Sequence, residues 1–282
     1  MDLISLFQQS PLLLVVVLFV VGLIVGSFLN VVILRYPPVL EYDWKKDYAE
    51  FTETPFDQSK PPGLVFARSH CPKCKEQLSA WHNIPVISYL ILRGRCHFCQ
   101  NRISIRYPLI ELFSGLLAAL AAFYYGFSWQ LLSVLMLIWF LLVITWIDID
   151  TYLIPDQLSL SLLWLGLFCS LFDLTISPAQ AITGALVGYL SLWLVFQLFK
   201  LLTGKEGMGY GDFKLLAAGG AWIGAEALIG VLMVASVTGL LLTLLLAAFG
   251  LGQKKIPFGP YLSVGILVAY FTDGSLLDLL LL

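Results

Sequence analysis

The run WQLLSVLMLIWFLLVITWID, Trp129 to Asp148, holds nineteen residues without a charge and ends on an acid. About 20 apolar residues are what an α-helix needs to cross the hydrocarbon core of a bilayer. The run therefore predicts a membrane span, Trp129 to Ile147, with Asp148 at its mouth. An ionisable group at a membrane boundary is costly and is a functional candidate by default.

A second acid stands in a comparable place. Gly207-Met208-Gly209-Tyr210-Gly211-Asp212-Phe213-Lys214 sets a carboxylate, three glycines and a lysine at the entrance of another apolar region. Glycines beside an acid remove side chains and let a second backbone come close. Asp148 and Asp212 read as two halves of one acid/base pair, with Gly209, Gly211 and Lys214 supporting the second half.

Composition agrees with a membrane protein. Of 282 residues, 59% are hydrophobic and 12% charged, whereas a soluble domain carries about a quarter charged residues. The fold class expected is an all-α polytopic membrane protein of about eight transmembrane helices with a cytoplasmic tetracysteine zinc loop. Its segments would be a first transmembrane helix, 1–34, a cytoplasmic zinc-binding domain, 35–106, and a seven-helix membrane domain, 107–282. Lys and Arg lie only between Arg35 and Arg106, between Lys200 and Lys205, at Lys214, and at Lys254 and Lys255. The positive-inside rule puts these on the cytoplasmic face and both termini outside. The net charge of −2 says little about partners; no nucleic acid is expected among them.

In chain order, Pro11 to Leu34 is span one. It is too long for a cleavable signal, and no base precedes it. Its Gly26-Ser27-Phe28-Leu29-Asn30 stretch suits close helix packing. Tyr36 to Arg68, with Glu41, Asp43, Asp47, Glu50, Glu53 and Asp57, reads as a solvated loop; a cradle for a basic peptide is the sharper reading. Pro108 to Tyr125 is span two, with Glu111 at its inner end. Leu158 to Phe172 and Ala179 to Phe199 are spans four and five, and Lys200 to Lys214 is an inner loop. Leu215 to Gly250 carries only Glu226 as a charge. Two helices there, the first short and packed through Gly219, Gly220 and Gly224, return Lys254 and Lys255 to the cytoplasm. Tyr261 to Phe271 and beyond is the last span, leaving Asp273 and Asp278 outside. No internal repeat is evident.

Cys71-Pro72-Lys73-Cys74 and Cys96-His97-Phe98-Cys99 are two Cys-x-x-Cys knuckles. Four thiolates close a tetrahedral zinc site with no position left for a substrate water, which makes such a metal structural. Disulfides or a redox pair are the other readings, and a cytoplasmic location disfavours disulfides. His70, His82 and His97 lie nearby as surface or supporting residues. Cys169 stands alone in an apolar run and reads as a core or lipid-facing residue.

Asp148 and Asp212 both fall at inner helix ends, and hence at one depth. Two carboxylates that share a proton can divide the labour of peptide hydrolysis: one activates water, the other polarises the scissile carbonyl. Asp150 and Asp156 rival Asp148. Asp156 follows Pro155 and suits an N-cap of span four; Asp150 suits a cap or a surface acid. The glycine stretch lacks the strand and spacing of a dinucleotide site, and no His-Glu-x-x-His is present.

At these residues the chain resembles the type IV prepilin peptidases, bifunctional leader peptidases and N-methyltransferases. The resemblance spans nearly the whole length. It rests on Gly26 to Val32, both knuckles with Asn83-Ile84-Pro85 and Leu92-Arg93-Gly94-Arg95-Cys96 between them, Arg106-Tyr107-Pro108 with Glu111, Ile147-Asp148 through Pro155-Asp156, Met208 through Lys214, and Pro257-Phe258-Gly259-Pro260. It implies that Asp148 and Asp212 are the catalytic aspartates of an aspartyl protease of the bacterial inner membrane. It implies substrates that are prepilins and type II secretion pseudopilins, cut after a glycine at the cytoplasmic face to remove a short basic leader. It also implies methylation of the new N-terminus, usually Phe, from S-adenosylmethionine, with the region of Gly94 implicated.

Two other readings use the same residues. A proton-coupled transporter would use Asp148 and Asp212 as a relay, although relay acids usually lie near the midplane. A membrane scaffold would use the zinc loop to recruit a partner, and leaves the glycines beside Asp212 unexplained.

Overall fold

The computed structural model describes residues 7, 10–64, 68–71, 73–250 and 256–272. Lys254, Lys255, Asp273 and Asp278 lie outside them. The described chain is helical: α1 Pro11–Phe51, α2 Ile87–Ile91, α3 Arg106–Tyr125, α4 Trp129–Thr151, α5 Asp156–Ser170, α6 Pro178–Thr203, α7 Tyr210–Ile223, α8 Leu228–Ala248 and α9 Gly259–Phe271. It forms two compact units that meet in sequence within α4, between Val143 and Ile144.

The apolar runs became helices, one for each of the spans expected. Five of them, α1, α3, α4, α6 and α8, are long and apolar enough to cross a membrane. The other three, α5, α7 and α9, have 15, 14 and 13 residues. At 1.5 Å per residue these reach only about 20 Å.

Unit 1 is built on a tight crossing of α1 and α3. A Cβ on Gly22 would stand 2.7 Å from the Gly115 Cα, and one on Gly26 2.7 Å from the Glu111 Cα. Small residues let the backbones touch, which is how helices associate when lipid is as apolar as their side chains. The seam carries polar fasteners. Ser114 Oγ donates to the Gly22 carbonyl at 2.6 Å and receives the Trp139 indole N–H at 3.2 Å; Asn30 Nδ2 donates to the Tyr107 carbonyl at 3.1 Å.

Helix α1 does not end at Leu34. It runs on through Pro37 and Pro38 to Phe51, 41 residues in all, so the first half of the expected solvated loop is helical. Two things sustain it. The preceding turns are already formed, so extension needs no new nucleus. Glu41–Lys45 at 2.7 Å, in the favoured order of acid before base, and Lys46–Glu50 at 3.4 Å, in the weaker reverse order, then add i,i+4 pairs. Beyond it Thr54 N–H returns to the Ala49 carbonyl at 3.0 Å, and Phe56 packs edge-on against Tyr42.

Between the cysteine knuckles the backbone makes one costly turn. Val86 has φ 58° and ψ −48°, and Ile87 N–H reaches the Pro85 carbonyl at 2.5 Å. This is the γ-turn of positive φ, rare for any residue and worse for a β-branched one. Such a conformation costs on the order of 1–3 kcal/mol and persists only where its surroundings hold it.

Unit 2 is organised around α7. Ten of its fourteen residues are buried, Asp212 and Trp222 among them. A Cβ on Gly188 would stand 2.6 Å from the Leu216 carbonyl, and one on Gly184 would overlap Gly220. Here α6 and α7 meet backbone to backbone. Gly219 faces Ile266 of α9, while Gly166 of α5 faces the Trp222 ring, whose N–H donates to the Leu162 carbonyl at 2.9 Å. Gly224 has two roles: at φ 81° it ends α7, and its Cα would stand 2.9 Å from a Cβ on Gly184, so it belongs to the same crossing. Glu226 is exposed in the link to α8, so the short helix before it is the buried one.

Candidate active site and cysteine cluster

Asp148 lies in the last turn of α4 and is 4% exposed. The helix continues past it: Tyr152 N–H bonds to the Asp148 carbonyl at 2.9 Å, and Tyr152, at φ 55°, then turns the chain away. Asp150 and Thr151, beyond the expected end of the span at Ile147, are the end of this helix. Asp148 Oδ2 accepts the backbone N–H of Gly259, the first residue of α9, at 3.0 Å. The first N–H groups of a helix have no partner within it, and this one is given to a carboxylate.

Asp212 lies in the first turn of α7, not in a loop, and is 8% exposed. Gly209 occupies the N-cap position, and its backbone N–H bonds to the Asp212 carboxyl. This is half a capping box; glycine has no side chain to supply the other half. Phe196, Tyr210 and Phe213 form a ring cluster with centroids 5.2 to 5.5 Å apart, which ties the start of α7 to α6.

The two acids come together. They are close enough to interact electrostatically, and their elements press on one residue, Ile154. A Cβ on Gly211 would stand 2.8 Å from the Ile154 Cβ, and one on Gly259 would be 3.0 Å from the Ile154 Cδ1 and 2.6 Å from Asp148 Oδ2. Gly209 is different: the nearest atom to its Cβ would be Asp212 Oδ2 at 3.7 Å. Gly211 is a packing glycine, and Gly209 sets no side chain against the carboxylate.

The rival acids have other surroundings. Asp150 is exposed. Asp156 is not the N-cap of α5; Pro155 holds that position and Asp156 is the first helical residue. Its two oxygens accept Lys214 Nζ at 2.6 and 2.7 Å, joining the first turn of α5 to the second turn of α7. A lysine two residues from Asp212 thus has a partner of its own, and the capping expectation for Asp156 gives way to an ion pair.

In unit 1 the Sγ atoms of Cys71, Cys74, Cys96 and Cys99 lie within 4.8 Å of one another, and Cys71 and Cys99 are 3.8 Å apart. Thiolates at 2.3 Å from a tetrahedral centre are about 3.8 Å apart, so the cluster can hold a metal ion. The knuckles are closed alike. Cys71 N–H donates to the Glu76 carbonyl and Lys75 N–H to the Cys71 carbonyl; Cys96 N–H donates to Asn101 and Gln100 N–H to Cys96. Lys75 and Gln100 both have φ near 60°. One antiparallel bridge flanks each knuckle, His70 with Gln77 and Arg95 with Arg102. The backbone and side-chain N–H groups of Asn101 point at the Cys99 sulfur and hold its thiol below the ordinary cysteine range, while Cys74 in the same cluster is pushed above it.

Comparison with known proteins matches both units. The family model described as Bacterial Peptidase A24 N-terminal domain covers residues 20–125, and that of the Type IV leader peptidase family covers residues 135–244. A prepilin leader peptidase/N-methyltransferase of Stutzerimonas stutzeri is 48% identical over 272 residues, 94% of this chain and 93% of its relative. The chain belongs to the type IV leader peptidase family. Proteins of the same description from Pseudomonas aeruginosa and Neisseria gonorrhoeae are 45% and 46% identical, over 94% and 91% of this chain and 92% and 90% of their own. No solved structure matches.

In this leader peptidase Gly94 is buried at φ 68°. Its N–H donates to the Tyr89 carbonyl, and its own carbonyl receives Ile103 N–H, so it closes the second knuckle. His82 and His97 stack at 4.8 Å beside the cluster, and His70 is exposed. Cys169 is buried in α5. Two residues that sequence reasoning did not single out belong to the site: Ile154 and Gly259. The only signal for Gly259 was the Pro-Phe-Gly-Pro run.

Proposed function

We propose that the protein is a membrane aspartyl endopeptidase that removes the short basic leader of type IV prepilins and pseudopilins after a glycine at the cytoplasmic face, and then methylates the new N-terminal residue. Asp148 and Asp212 are its catalytic pair. One carboxylate, ionised, takes a proton from the attacking water. The other, protonated, donates a hydrogen bond to the scissile carbonyl and then a proton to the leaving amine. The Gly259 N–H fixes the orientation of Asp148, and the bare Gly209 leaves room for a peptide over Asp212. The observation that carries this reading is that, among the described residues, these two are the only buried aspartates.

Cys71, Cys74, Cys96 and Cys99 hold a structural zinc ion in this reading, which would join the two knuckles and do no chemistry. S-adenosylmethionine is the methyl donor, with the loop around Gly94 near it. The segments 1–34, 35–106 and 107–282 are the membrane anchor, the cytoplasmic zinc domain and the protease domain of an inner-membrane protein whose termini face outward. The relay reading of a transporter has nothing in its favour, because both acids sit in terminal helical turns.

The test is cleavage of a prepilin-like substrate in liposomes by wild type, Asp148→Asn and Asp212→Asn. Wild type should cut, and each variant should lose at least a thousandfold while keeping its metal. Equal cleavage by all three removes the aspartates from the mechanism.

A further inference from the structure

Among the described residues three carboxyl groups are buried, and the peptidase reading uses two. The third, Glu111, lies in unit 1, 8% exposed, where α3 presses on α1 at Gly26. Its Oε2 accepts the Val86 N–H at 2.8 Å, and Ser27 bonds to the same carboxyl. So the residue with the least favourable backbone of the knuckle region gives its N–H to the one buried acid left without a task.

Holding a turn does not require a carboxylate, since an amide oxygen would accept the same N–H. Nor does α1–α3 packing require one, since the seam is already closed by glycines and by Ser114. A buried carboxylate beside a turn ready to move is suited to a cation that arrives and gives up a proton. On the reading above, unit 1 must handle such a cation: the α-ammonium of the freshly cut chain.

Resting on that reading, we propose that Glu111 is the acceptor-amine site of the methyl transfer and that the Val86 turn is its gate. The gate opens when Val86 relaxes from φ 58° to an ordinary negative φ, which breaks the N–H bond to Oε2 and relieves the strain together. The ammonium then gives one proton to the Glu111 carboxylate. The freed nitrogen lone pair attacks the methyl carbon of a sulfonium donor. A C–N bond forms, the C–S bond breaks with its electrons left on sulfur, and a secondary ammonium and a neutral thioether result. The flanking bonds, Ser88 N–H to the Ile84 carbonyl at 3.1 Å and Ser88 Oγ to the His82 carbonyl at 2.9 Å, anchor the turn on its far side.

The test uses the full chain in detergent with a prepilin-like substrate and S-adenosylmethionine. Glu111→Gln keeps an oxygen for the Val86 N–H but cannot take a proton. It should cleave within twofold of wild type and keep its metal, while methylation per cleaved chain falls at least 100-fold. Normal methylation by Glu111→Gln overturns this proposal alone; a wild type that cleaves without methylating overturns the bifunctional reading and the proposal with it. Should Glu111→Gln lose cleavage and metal together, wild type decides. Carbodiimide labelling of Glu111, read by mass spectrometry, should slow at least fivefold with a peptide bearing a free N-terminal Phe and not with its N-acetylated form. Equal labelling in both overturns the assignment.

Discussion

The backbone N–H of Gly259 meets Oδ2 of Asp148 at 3.0 Å, joining residues 111 positions apart. A terminal helical N–H is thereby given to a buried acid, and no side chain intervenes.

Gly259→Ala is therefore expected to be severe. Its Cβ would fall 2.6 Å from Asp148 Oδ2 and 3.0 Å from Ile154, and Ile154 is itself wedged against Gly211. Cleavage should fall about 100-fold, equivalent to about 2.7 kcal/mol of barrier. Gly63→Ala, with nothing within 4 Å, is the matched control and should cut normally. Initial rates on one substrate compare the two; a Gly259→Ala enzyme within threefold of wild type refutes the orienting role.

The two glycines before Asp212 should separate. Gly211→Ala must displace Ile154, whereas Gly209→Ala meets only a carboxylate oxygen at ordinary contact distance. Gly211→Ala should lower thermal stability by several degrees and cleavage at least tenfold. Gly209→Ala should leave stability unchanged and act on KM rather than kcat. Equal melting temperatures for the two would contradict the packing role of Gly211.

The Asp156–Lys214 pair has short distances but open surroundings, with side chains 55% and 26% exposed. Pairs of that kind contribute about 0–1 kcal/mol. A double-mutant cycle with Asp156→Ala and Lys214→Ala should give a coupling in that range, shrinking at high salt. A coupling of several kcal/mol would mean that the pair is shielded from solvent.

Removing one thiolate should undo the knuckles. Cys71→Ser should lose bound metal and make residues 69–103 sensitive to protease, because the binding energy of such sites is folding energy. Full metal content with unchanged protease resistance would show that three sulfurs suffice.

Much of this architecture was legible because it rests on composition and spacing. Uninterrupted apolar runs marked the helices, and four cysteines in two pairs marked the cluster. Where the outcome depended on a distant partner, the chain gave less. Asp156 looked like a cap until Lys214, 58 positions on, was seen to take its charge. Gly259 gave no sign of reaching Asp148. The acids from Glu41 to Asp57 read as a solvated loop, although α1, already formed, carries the chain on to Phe51. The two knuckles are a repeat in their backbone hydrogen bonds and, over a dozen residues, in sequence: Arg68 and Arg93 precede the first cysteine by three, and Leu78-Ser79 and Ile103-Ser104 follow it by seven and eight, a repeat too short to stand out before the bonds were seen.

The crossing of α6 and α7 at Gly184 and Gly220 bears on how the substrate must move. Most helix interfaces carry a cushion of side chains whose rotamers can yield by an ångström or more. Here two backbones meet directly, and the contact has almost no compliance. Sliding or rolling α7 would lift main chain over main chain, so the position of Asp212 against α6 is set as by a mechanical stop. On the proposed reading, the movement that cleavage needs then falls to the incoming peptide, because the carboxylate cannot come to meet it.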